Sequence, residues 1–190
     1  MNPAGRRIAA ALSLWTLGVG ATLPQAPDPE LRRLLEAAIA DTGSFRDRFE
    51  AEVWLSDMSR RLERQVSDPA ERLDLLRQIH REATRVNLPP ELVLAVIEVE
   101  SNFDRFAISW VGAQGLMQVM PFWLEEIGRP HDNLFHVRTN LRLGCTILRY
   151  YFDLENGDLV GTLARYNGSY GRRSYADKVL DRLSRKWFRE

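Results

Sequence analysis

Apolar residues recur at three- and four-residue intervals through most of this chain, and no stretch of useful length alternates strictly between apolar and polar. The pattern predicts helix after helix and no sheet. Residues 30–40, rich in Leu, Ala and Arg, predict one helix ending near Gly43. Residues 45–66 predict a second, with Phe45, Phe49, Val53, Leu55, Met58 and Leu62 at helical spacing. Ser67-Asp68-Pro69-Ala70-Glu71 reads as a helix start, with Asp68 as cap, Pro69 at the first position and Glu71 able to reach back. That helix runs to about Asn87, and the charges of Arg72, Asp74, Arg77, Arg81, Glu82 and Arg85 predict a solvated face. Pro90 opens the next helix. Further helices are expected at 116–120, 122–127, 137–154 and 159–166. Tyr175, Val179, Leu180, Leu183 and Trp187 predict a closing amphipathic helix.

The helix that begins at Pro90 carries the chemistry. At about 100° of turn per residue, Val93, Val96, Ile97 and Glu100 share one face, and Glu91 and Glu98 lie on the other. Glu98 is therefore expected in water, whereas Glu100 continues an apolar stripe at the helix end. Lost hydration and the negative end of the helix dipole both raise the pKa of a carboxyl there, as a general acid needs. A polar turn follows, with Gly112 and Gly115 permitting close backbone approach. Gly144, in the middle of a helix, predicts close packing of another backbone.

Glu100-Ser101-Asn102-Phe103, then Ser109, then Gly112-Ala113-Gln114-Gly115-Leu116-Met117-Gln118-Val119-Met120-Pro121 resemble the soluble lytic transglycosylases, which share a lysozyme-like fold with goose-type lysozymes. Asn133-Leu134-Phe135, Asn140 and Gly144, and then Ala164-Arg165-Tyr166-Asn167, extend the resemblance. Arg105 stands where a Pro is common and Trp123 where a Thr is common, and Gly168-Ser169 replaces the usual Ala-Gly. The resemblance implies an all-α fold with a lysozyme-like catalytic domain over 88–190. Residues 28–87 lie mostly outside it and are expected to pack on that domain as extra amino-terminal helices, a docking surface for a partner protein being the alternative. It implies cleavage of the β-1,4 bond between N-acetylmuramic acid and N-acetylglucosamine in peptidoglycan, with formation of 1,6-anhydromuramic ends. Glu100 is the implied single acid and base, with Tyr166 bonded to its carboxyl. Ser109, Gln118, Met120, Tyr166 and Asn167 are the implied substrate-binding residues. Two other readings keep the fold: a hydrolytic, goose-type muramidase, and a non-catalytic peptidoglycan-binding subunit of a secretion apparatus.

Glycosidases with two carboxylates would need a second one near Glu100. Asp104 and Asp132 are the candidates, and Asp104 reads better as a turn residue. Trp110 and Tyr170 are either sugar-stacking or core aromatics. Cys145 shares a stripe with Leu141 and Leu148 and reads as core. As the only cysteine it forms no intramolecular disulfide.

Composition narrows the partners. With 26 basic and 26 acidic residues the formal charge is zero, so no nucleic-acid partner is expected. His80, His131 and His136 lack the spacing of a metal site, and neither a metal nor a cofactor is expected. Residues 1–26 read as an export signal and linker: Arg6 and Arg7, an apolar run, and small residues for cleavage after Ala21. The expected protein is an exported, periplasmic monomer acting on glycan strands. A cell-wall or secretion-machinery protein is its candidate docking partner.

Overall fold

The computed structural model describes residues 43–188 apart from 128 and 130. The expected signal segment and the helix at 30–40 lie outside the described residues. Among the described residues seven α-helices follow in order: α1 (Arg48–Leu62), α2 (Pro69–Arg85), α3 (Pro90–Ser101), α4 (Phe122–Ile127), α5 (Val137–Leu154), α6 (Leu159–Tyr166) and α7 (Ser174–Arg182). A π-helical turn (Leu183–Trp187) continues α7. The described residues hold no strand, only isolated bridges Ile108–Gln114 and Gln114–Val119. The all-α expectation holds.

Local chemistry sets the helix ends. Asp47, Asp68 and Asp158 each accept backbone N–H groups at the starts of α1, α2 and α6. Each cap satisfies donors that have no partner inside the helix. Pro69 and Pro90 occupy first helical positions, where a missing N–H costs nothing.

α3 is the axis of the molecule. Its residues Leu92 through Ile97 are all buried, six in succession. α2, α7 and the π-helical turn all pack on it, while α5 packs on α2 and α6. A helix that is apolar all round belongs inside, and this one is enclosed accordingly.

Several expectations fail. Phe49 and Val53 are exposed, and the buried face of α1 is carried by Ala51, Leu55, Met58 and Leu62. Arg72 and Glu82 are buried rather than solvated. The Arg72 guanidinium donates to Ser59 Oγ at 2.9 Å and to the carbonyl of Val66 at 2.6 Å. Glu82 accepts from Arg85 at 2.6 Å, and Arg85 also reaches Thr146 on α5. Both buried charges are thus bonded, which is the condition for keeping them there.

Glu98 is not in open water. It accepts from Trp187 Nε1 at 2.7 Å and from Lys186 Nζ at 3.1 Å. The carboxyl-terminal turn covers it, and no helical wheel drawn on α3 alone contains that turn. Residues 116–120 form tight turns, not a helix. Here Gln114 and Val119 exchange backbone hydrogen bonds, and Gly115 N donates to the Ala107 carbonyl.

Gly144 is needed, but for a side chain rather than a backbone. A Cβ there would lie 2.5 Å from Met117 Sδ. Cys145, Leu141 and Leu148 are fully buried, as expected of core.

Candidate active site

Glu100 stands in the last turn of α3, one residue before the helix ends at Ser101. Asn102 closes the helix in the left-handed conformation (φ 48°), a role Asn fills better than most residues. Ser101 Oγ shares its one proton between the Ile97 carbonyl at 3.2 Å and the Leu116 carbonyl at 2.8 Å. That second bond ties the loop 107–120 to the helix end beside the acid.

The Glu100 carboxyl is half-buried, and burial pushes its pKa up to about 7. One hydrogen bond works against the rise: Tyr175 Oη donates to Glu100 Oε1 at 2.6 Å and favours the ionised form. The tyrosine that touches Glu100 is therefore Tyr175, not Tyr166. Tyr166 Oη donates instead to the Met117 carbonyl at 2.7 Å. Its position at the end of α6 aims it at the loop, whereas Tyr175, in the first turn of α7, faces α3. Burial and the nearby Glu100 raise the pKa of both phenols.

Sequence reasoning placed Tyr175 only on an apolar stripe. The signal was there, since a Tyr on a buried stripe requires a hydrogen-bond partner for its hydroxyl.

The loop that carries Ser109, Gln118 and Met120 is built by its own polar groups. Ser109 Oγ accepts from Ala113 N at 3.0 Å. Gln118, with φ of 48°, turns its amide inward, where Nε2 donates to the carbonyls of Gly115 at 2.9 Å and Ala107 at 3.2 Å. A non-glycine residue in that conformation is uncommon and clusters at functional sites. Asn140, buried on α5, fixes the loop from below. Its Oδ1 accepts from Met117 N at 2.8 Å, and its Nδ2 donates to the Gln114 and Leu134 carbonyls.

Met120 is half-buried, and Asn167 caps the end of α6 as an exposed residue. Trp110 and Tyr170 are 97% and 61% exposed, so neither is a core aromatic. Asp104 Oδ1 accepts from Phe106 N at 2.9 Å, the turn role expected of it. Asp132 is held by Arg142 and by the N–H of Arg129.

Replacing Tyr175 by Phe removes the bond that favours ionised Glu100. The pKa of Glu100 is expected to rise further above its ordinary value. The alkaline limb of any activity that uses protonated Glu100 moves to higher pH, as a pH–rate profile of the variant will reveal.

The site is a desolvated carboxyl at the end of a buried helix, facing a turn-rich polar loop. The chain belongs to the transglycosylase SLT domain family, whose model matches residues 77–187. It is 31% identical over 109 residues to a transglycosylase of Enterobacteria phage PRD1, covering 54% of this chain and 40% of the phage protein. It is 35% identical over 111 residues to the membrane-bound lytic murein transglycosylase F of Desulfosudis oleivorans, covering 55% of this chain and 24% of that protein. The chain thus matches less than half the length of these relatives. Among solved structures, the 70-kDa soluble lytic transglycosylase of Escherichia coli aligns with 85% of this chain and 32% of its own, at 20% identity and a TM-score of 0.47.

Proposed function

We propose that this protein is a peptidoglycan lytic transglycosylase of lysozyme-like fold, with Glu100 as its only acid and base. The desolvated Glu100 carboxyl, pushed to about 7, is the observation that carries the reading. A carboxyl held near neutral by burial can both give and take a proton there. Glu100 protonates the oxygen of the β-1,4 bond between N-acetylmuramic acid and N-acetylglucosamine. The substrate's own N-acetyl group steadies the positive charge that develops at the anomeric carbon. Ionised Glu100 then accepts the proton of the muramic C6 hydroxyl, whose oxygen closes the 1,6-anhydro ring, and no water is consumed.

Two observations support a single carboxylate. Asp104 is engaged in its own turn and Asp132 with Arg142, so neither is free as nucleophile or base. Tyr175 acts as a positioning residue that holds Glu100 Oε1. Ser109 keeps its hydroxyl proton to donate, because its oxygen accepts from Ala113. Gln118 spends its amide protons inside the loop and offers its carbonyl oxygen to the glycan. Met120 lines the floor, and Tyr166 acts on the loop through Met117. Asn167 stands at the rim.

The place of action is the cell envelope, reached by export. No described helix is long and apolar enough to cross a membrane. Mass spectrometry of sacculi digested by the purified protein tests the reading. Anhydromuramic ends are expected; reducing muramic ends would make the enzyme a hydrolase, and no cleavage would overturn the assignment.

A further inference from the structure

We propose that the ring of Tyr170 is a saccharide-stacking platform at the rim of the Glu100 site, taking the apolar C–H face of a sugar in the glycan strand. The inference rests on the reading of the site given above and adds a specificity-determining residue to it.

The placement follows from the two ends of one loop. Residues 167–173 join α6 to α7, so the loop begins just after Tyr166 and ends just before Tyr175. Tyr175 Oη is bonded to Glu100, and Tyr166 Oη to the Met117 carbonyl of the loop 107–120. A seven-residue loop is thus anchored at one end to the acid and at the other to the loop that Ser101 ties to the acid's helix. Gly168 and Gly171 flank the tip with φ of 72° and 82°, and a Cβ on either would meet no neighbour within 4 Å. The tip is open to a ligand.

The ring itself is held before any ligand arrives. The Arg165 guanidinium lies 3.9 Å from the centroid of Tyr170, over one face. Cation and ring attract through the ring's negative face, so that side is occupied. Arg165 is fixed in turn by an ion pair with Glu155, a carboxylate only 14% exposed. Gly161 makes room for Glu155, since a Cβ there would lie 2.3 Å from Glu155 Oε2. The series Gly161, Glu155, Arg165 and Tyr170 thus runs from a half-buried carboxylate to an exposed aromatic.

An exposed aromatic normally loses side-chain freedom when it binds. One already clamped on its inner face loses less, which is the benefit of preorganisation. Tyr170 is 61% exposed, and the ring face away from Arg165 is flat and rigid, suited to the C–H face of a pyranose.

The test uses the full chain carrying Glu100→Gln and peptide-free strands of alternating N-acetylglucosamine and N-acetylmuramic acid, with affinity read by calorimetry. Adding Tyr170→Ala is expected to weaken binding about tenfold, while Tyr170→Phe and Tyr170→Trp keep it. Arg165→Gln leaves the ring in place but unclamped and gives a smaller loss. In turnover of soluble strands by the protein with Glu100 intact, the Tyr170→Ala deficit falls on KM more than on kcat. Unchanged affinity in Tyr170→Ala, with binding by the parent protein intact, overturns the platform alone. An equal loss in Tyr170→Phe also overturns it, because it would point to the hydroxyl. A parent protein that neither binds nor cleaves the strand removes the reading of the site and the platform with it.

Discussion

Glu100→Gln is expected to fold, to bind glycan strands, and to lose about a thousandfold or more of its lytic activity. The amide keeps the shape and the acceptor oxygen facing Tyr175, but it has no proton to give at neutral pH. Turbidity loss of a sacculus suspension measures the activity, and lysis at the wild-type rate would move the acid elsewhere. The same variant carries a stability signature. Glu100 holds its proton more tightly in the folded protein, near 7, than in the unfolded chain, at the ordinary value of 4.5. A group whose pKa is raised by folding favours the folded state fully below its unfolded value. It loses that contribution as pH climbs through the folded value. Wild type should therefore lose about 3 kcal/mol between pH 4 and pH 8 that Glu100→Gln does not lose. Urea unfolding of both proteins at the two pH values gives the comparison. Under the proposed function, the protein keeps a destabilising acid because that acid is what reacts.

Asn140→Ala is the change expected to damage the scaffold most. Asn140 is buried on α5 and serves three backbone groups at once: Met117 N and the carbonyls of Gln114 and Leu134. Truncation leaves all three without that partner, in a place water reaches poorly. At about 1 kcal/mol or more for each group, the loss is about 3 kcal/mol, a drop of roughly 6–12 °C in Tm. Catalysis should fall with it even at temperatures where the protein stays folded, since Met117 and Gln118 share the loop that Asn140 holds. Thermal unfolding followed by circular dichroism, with lysis assayed well below the transition, separates the two effects.

How far the sequence reached is plain in particular residues. Asp68, Pro69 and Pro90 mark helix starts that the structure reproduces, and α4, α5 and α6 match their expected spans. These features are local, governed by donors and acceptors within four residues. Glu100 was legible as well, because an apolar stripe ending in a carboxyl already implies desolvation. Tyr175 was harder. It lies 75 residues from Glu100, and only the packing of α7 on α3 brings its hydroxyl to the carboxyl. Arg72, Glu82 and Glu98 misled for the same reason. Each carries a charge that a helical pattern assigns to water; Arg72 and Glu98 bond to groups outside their own helices, and Glu82 bonds to Arg85, which in turn reaches Thr146 on α5. The turns at 116–120 read as helix in the sequence because Asn140, whose side chain fixes Met117 N, lies 23 residues away.

The sequence by itself determined that this chain would be helical, where most helices begin, and that one glutamic acid would sit at the end of the most apolar of them. Periodicity and capping are properties of neighbouring residues, so they can be read in one dimension. Only the tertiary structure decided which tyrosine touches that acid, which charges are buried, and which aromatic rings are left facing solvent. Those outcomes depend on contacts between elements tens of residues apart, whose free energy no local pattern encodes.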